Sequence, residues 1–150
     1  EALDLPLVGL DYTHECGGLW LDERGDGERR GQPGRSKKQF EEIAPRLVTD
    51  NPYEKGWWGR PYETELEWAN RARRFAEFAC TQHSMEDSVM LFSHAQFIGV
   101  IIGTILGVSD QENIRFHIQN TGITRLRWNG SHWALQYQNR LSHLTARMIS

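Results

Sequence analysis

The sequence is thin in the features that assign a chain at sight. Two cysteines, Cys16 and Cys80, occur in 150 residues, and their spacing fits no metal-ligand pattern. The pair therefore reads as reduced thiols of a cytoplasmic protein. No apolar run approaches the roughly 20 residues that a membrane-spanning helix needs. The opening residues, EALDLPLVGLDY, lack the basic start and long apolar core of a secretory signal. Position 1 is Glu rather than Met, so the upstream end is expected to be cut. A net charge of −3 gives no general attraction to nucleic acid or to an anionic membrane. There is no internal repeat. One domain of ordinary globular composition is the expectation, long enough to bury a sizeable core.

Against that background one stretch stands out, SVMLFSHAQFIGVIIGTILG at 88–107. Val89 to Phe92 is a continuous apolar run, the pattern of a strand covered on both faces. Residues 96–106 are apolar nearly all round, which predicts a buried helix. Gly107 fits as its C-terminal cap. A buried strand turning directly into a buried helix is an α/β unit, and ligands of such sheets collect at the carboxyl ends of strands. His94 stands on that junction, beside Ser93, Ala95 and Gln96. The free N–H groups and partial positive charge of a helix start favour an anion. A histidine there can bind a phosphoryl oxygen or act on it as nucleophile or acid. A packed or helix-capping histidine fits the local pattern equally well.

The remainder supplies the surroundings. LPLVGLD at 5–11 reads as a short strand. Glu15 sits in THECGGLW, just before the paired Gly17 and Gly18, which imply a tight turn or close backbone approach. A carboxylate at a strand end beside such a turn can serve as a general acid. A solvated glutamate or a helix cap is the plainer alternative. Residues 22–37 are dense in charge, glycine and proline, and predict a loop. Phe40, Ile43, Ala44 and Leu47 share a helical face, interrupted by Pro45. Trp57, Trp58 and Arg60 either line a substrate mouth or, for the tryptophans, form a latch under a loop. Thr64 and Glu67 make a capping box opening a helix to about residue 82. Trp68, Ala72, Phe75 and Ala79 form its apolar stripe, with Arg71, Arg73 and Arg74 on a solvated face. IRFHIQNTG predicts a strand ending in a turn. ITRLRW and HWALQYQN predict a hairpin across Asn129-Gly130. Asn129-Gly130-Ser131 also matches a glycosylation sequon, for which the turn is the better reading.

In order along the chain, these segments resemble the histidine phosphatase superfamily, the phosphoglycerate mutase-like fold. FSHAQFIGVIIGTILG, NTGITRL and WALQYQN resemble its C-terminal half. THECGGLW resembles its acid segment, and PYETELEWANRARRF resembles its Gly-Glu-Ser helix start, with Tyr62 and Thr64 in place of Gly and Ser. The resemblance implies a three-layer α/β fold, a mixed sheet flanked by helices, here N-terminally incomplete. Residues 1–150 then form a single partial domain with a variable insertion at 22–60.

The function implied is hydrolysis of phosphate esters through a phosphohistidine. By the resemblance, His94 is expected to be the second pocket histidine and Glu15 the acid that protonates the leaving group; from the residues themselves, Ala95, Gln96, Trp58 and Arg60 are the candidates for substrate contact. No cofactor or metal is implied, and the expected partner is a phosphorylated small molecule. One departure matters. The family's nucleophile lies in Arg-His-Gly, and that tripeptide occurs nowhere in the 150 residues. A cut family member is therefore expected, with an apolar sheet edge uncovered. A mutase-type phosphotransferase and a non-catalytic binding or regulatory relative are the alternatives.

Overall fold

A computed structural model describes residues 5–22, 25, 27–49, 53–108 and 114–148. The fold is α/β, and the chain divides into two compact units, Glu1–Thr64 and Glu65–Ser150. The described strands pair as three two-stranded sheets, one parallel and two antiparallel. Parts of the expected 22–37 loop, residues 23, 24 and 26, lie outside the described residues.

Unit 1 carries β1 (Leu7–Val8), β2 (Trp20–Leu21), β3 (Arg30–Gly31), α1 (Lys37–Ile43) and β4 (Leu47–Val48). β1 and β4 run parallel, and Gly9 N–H extends the pairing to Val48 O at 2.8 Å. β2 and β3 form an antiparallel ribbon, closed by Gln32 N–H on Leu19 O at 2.9 Å. The start of α1 follows from its sequence, because Gln39 Oε1 accepts the Ser36 backbone N–H at 2.9 Å. Its end follows from Pro45. The residue before a proline is pushed out of the helical region, and Ala44 sits at φ −144°, ψ 68°. Tyr53 is buried, which pushes its phenol above the usual tyrosine range. A hydrogen bond with Thr49 opposes that shift, and the charge of Asp11 adds to it.

The tightest packing in unit 1 is at the two glycines. Gly18 N–H donates to Glu15 O at 3.1 Å and closes a four-residue turn. Gly17 holds its third position at φ +86°, and Gly18 follows at φ +77°. A methyl group on Gly17 would lie 2.3 Å from Tyr62 Cε2, and one on Gly18 would lie 2.0 Å from Trp58 Cζ2. Both the backbone angle and the space exclude a side chain.

Unit 2 carries α2 (Glu65–Thr81), α3 (Ala95–Ile105), β5 (Ile123–Trp128), β6 (Trp133–Arg140) and a 3₁₀ turn at Ala146–Met148. Its core joins Ala72 and Phe75 of α2 to the buried apolar side chains of α3, Phe97, Ile101 and Ile102. Arg71 corrects the sequence reading. It is 8% exposed, with its guanidinium 4.1 Å from the centre of the Phe97 ring. It lies next to Ala72 and one turn from Phe75, at the edge of a stripe wide enough to draw a long aliphatic stem inside. Gly107, at φ +69°, ends α3 in a Schellman motif. Val108 N–H reaches Gly103 O at 2.9 Å, and Gly107 N–H reaches Thr104 O at 3.2 Å. β5 and β6 form the expected hairpin, with Gly130 at φ +92°. Asn129 Oδ1 accepts the Ser131 and His132 N–H groups at 3.1 and 2.9 Å, so the side chain of the sequon is engaged in the turn.

Two expected strands do not form ladders. In 114–119 two backbone groups are taken by side chains of β6: Gln119 N–H donates to Asn139 Oδ1 at 2.9 Å, and Gln138 Nε2 donates to His117 O at 2.7 Å. Residues 89–92 enter no ladder among the described residues, and Val89, Met90 and Phe92 are 57%, 67% and 80% exposed. A continuous apolar run signals a two-sided strand only where neighbours cover both faces. Here that cover is not among the described residues.

Two substitutions test this packing. Phe97→Ala should cost about 3–5 kcal/mol of unfolding free energy. Gly18→Ala should cost at least about 2 kcal/mol, from its left-handed backbone and the Trp58 contact. Urea denaturation followed by circular dichroism measures both. A loss below about 1 kcal/mol in either case would contradict the packing.

Candidate functional site

His94 lies where the chain changes from extended to helical. Its own backbone is extended, at φ −109°, ψ 155°, and it is the N-cap of α3. The first helical bond runs from Ile98 N–H to His94 O at 2.9 Å. The N–H groups of Ala95 and Gln96 lie in the first turn, before the intrahelical bonds begin. The His94 side chain makes no cap hydrogen bond, and His94, Ala95 and Gln96 are exposed. An imidazole and a helix N-terminus thus face solvent together. That arrangement suits a phosphoryl or other anionic group. Directly behind it, Phe97 is fully buried and anchors the first turn, with Arg71 against its ring.

Glu15, Trp58 and Arg60 fall in unit 1. Glu15 opens the glycine turn, and its Oε1 accepts the Cys16 N–H at 2.8 Å. The carboxylate is therefore folded back on its own turn, half-exposed. Trp58 is 5% exposed, with its ring against Gly18. Arg60 stacks its guanidinium 4.6 Å from the Trp58 ring centre, and about half of its side chain is open to solvent. Of this pair, Arg60 is the one with charge to offer outside. A shallow hollow on unit 1, lined by Ser36, Lys37, Lys38, Glu41 and Glu54, contains none of these residues.

Sequence reasoning gave no role to His14, nor to Glu63, which stands at the Glu of the segment resembling the Gly-Glu-Ser helix start. Glu63 is 1% exposed. Its Oε1 accepts from Arg60 Nη2 at 3.0 Å, and its Oε2 lies 3.7 Å from His14 Nε2. The Nδ1 of His14 is 2.8 Å from Asp11 O, and a carbonyl can only accept, so Nδ1 carries a proton. The His14 ring clusters with Trp57 and Trp58, at centroid distances of 5.2 and 4.9 Å. Glu63 carries no periodic signal. The available cues were its place in the Gly-Glu-Ser resemblance and the density of aromatic groups around it, which implies burial and hence a paired charge.

Among the described residues, no three or more His, Cys, Asp or Glu side chains are placed to hold a metal ion. Cys16 and Cys80 are free thiols. No helix among the described residues is long and apolar enough to cross a membrane.

Residues 21–140 match the model of the histidine phosphatase superfamily, branch 1. His94, Trp58 and Arg60 lie inside that match, and Glu15 lies before it. Among curated proteins, the chain is 29% identical over 87 residues to a protein named probable phosphoglycerate mutase GpmB, from Erwinia tasmaniensis. That match covers 55% of this chain and 40% of the relative, so the chain spans less than half the length of the curated protein it matches. No solved structure matches it. The family match takes in well over half of the residues, with the α3 N-terminus and its histidine inside it, and the chain belongs to the histidine phosphatase superfamily.

Proposed function

We propose that this chain is part of a phosphate-ester hydrolase that works through a phosphohistidine. The observation that carries the reading is His94 as the exposed N-cap of α3, inside the family match. A phosphoryl group in transit spreads negative charge over its equatorial oxygens, and fixed donors stabilise it. His94 and the backbone N–H groups of Ala95 and Gln96 are the donors assigned here. Arg60 is assigned to an anionic part of the substrate outside the transferred group. Its half-open side chain supports that role, and its stack on Trp58 limits its freedom.

In the reaction, a histidine nitrogen attacks phosphorus and the ester P–O bond breaks. The leaving alkoxide takes a proton, which Glu15 is assigned to give. Water then attacks the phosphohistidine, returning the proton to the carboxylate and releasing phosphate. The attacking histidine is assigned to a segment beyond these 150 residues, because no Arg-His-Gly occurs within them. The open apolar residues Val89, Met90 and Phe92 support that assignment, since they suit a strand supplied from elsewhere. Hydrolysis is preferred to a mutase-type transfer because 22–60 does not resemble the usual mutase segment. The name of the 29% identical relative favours the mutase as the second reading.

The test compares two polypeptides, the 150 residues alone and a longer product read from the same coding sequence. The 150 residues alone should not hydrolyse para-nitrophenyl phosphate. The longer product should do so, and His94→Ala should lower its kcat/KM by about 100-fold or more, the scale of removing one preorganised donor. Glu15→Gln should slow alkyl phosphates far more than the nitrophenyl ester, whose leaving group needs no proton. Hydrolysis by the 150 residues that disappears in His94→Ala would refute the external nucleophile. A longer product with no Arg-His-Gly and no turnover would favour a non-catalytic relative.

A further inference from the structure

The buried carboxylate of Glu63 has no part in the chemistry above, yet unit 1 is built closely around it. Residues 56–63 form a strap fastened to the rest of unit 1 by backbone bonds. Trp58 N–H donates to Pro33 O at 3.0 Å and Trp57 N–H to Arg35 O at 3.2 Å. The strap also passes so close that a methyl group on Gly31 would lie 2.0 Å from Arg60 O, and one on Gly34 would lie 2.3 Å from Trp57 Nε1. At its far end, Glu63 N–H donates to Gly17 O at 3.2 Å, directly on the turn that Glu15 opens.

We propose that Glu63 is a positioning residue for Glu15, fixing both sides of the turn that presents the Glu15 carboxyl. After Glu15, the Glu63 N–H holds Gly17, and Tyr62 and Trp58 close over the two glycines. Before Glu15, the Glu63 carboxylate faces the ring of His14, which its Nδ1 ties to Asp11 O. A buried carboxylate is costly unless paired, and the Arg60 guanidinium supplies the compensating charge and a hydrogen bond, with the His14 ring 3.7 Å away on the other oxygen. Removing that charge releases the strap and the His14 ring together. The Glu15 carboxyl then loses its fixed relation to the Cys16 N–H. This inference rests on the reading of Glu15 as proton donor for its functional meaning, though not for its geometry.

The experiment uses nuclear magnetic resonance on the 150-residue chain and needs no turnover. The Cys16 amide proton donates to the Glu15 carboxylate, so its chemical shift should move as that carboxylate titrates, and Glu15→Gln should abolish the movement. In Glu63→Gln the excursion should fall by at least half, with the Ile101 and Ile102 amides of α3 unmoved. Glu63→Asp should restore part of it. Arg60→Met, which removes the partner of that carboxylate from a half-open side chain, should give a fall in the same direction and decides the matter if Glu63→Gln does not fold. An undiminished excursion in the Glu63→Gln and Arg60→Met variants would overturn the proposal, as would a wild-type Cys16 amide that does not titrate. An unchanged alkyl-phosphate rate in Glu15→Gln would instead overturn the proton-donor reading and leave the geometric result intact.

Discussion

Unit 1 depends on one buried negative charge. Few of its residues are fully covered, and its strands are two residues long, too short to hold a sheet by themselves. What fixes it is a set of aromatic rings laid on glycines and a carboxylate buried beside them. The glycines let the rings approach, the rings exclude water, and the exclusion of water makes the Glu63 pairing with Arg60 strong in direction and costly to break. Order here comes from close contact and charge pairing, not from a regular ladder.

Unit 2 is held differently. Phe97, Ile101 and Ile102 meet Ala72 and Phe75 in a dry helix pair, and the hairpin of β5 and β6 alternates between half-covered and open faces. The helix pair sets the position of the α3 N-terminus, so His94 inherits its place from packing one turn further on. Arg71 adds a buried positive group on the Phe97 ring, near that same terminus. His94 itself is exposed, while rigidity is supplied by the buried residues behind it.

Elements written in local code were legible in the sequence. The stripe of α2, the proline that ends α1, the Gly107 stop of α3 and the Asn129-Gly130 hairpin all state their structure within a few residues. The helix start at His94 was legible for the same reason, since a run of apolar residues broken by one polar junction marks such a start. What failed depended on partners. Val89 to Phe92 reads as a covered strand only if the cover exists, and 114–119 lost its ladder to two β6 side chains. The burial of Arg71 and Glu63 was missed because burial of a charge is decided by what faces it, and no periodicity records that. Membership of the family came from the order of segments. The chemical roles of single residues do not follow from that order alone.

The position of His94 as an N-cap has a consequence for how this site can change. Histidine is a poor residue there, while Asp, Ser, Asn or Thr would accept a hydrogen bond from the first turn and stabilise α3 by about 1 kcal/mol. The His94 ring makes no such bond. With the role proposed for His94, stability and chemistry pull in opposite directions at this one residue. Substitutions that tighten the helix are within easy reach, and each of them removes the imidazole while leaving the fold better capped than before.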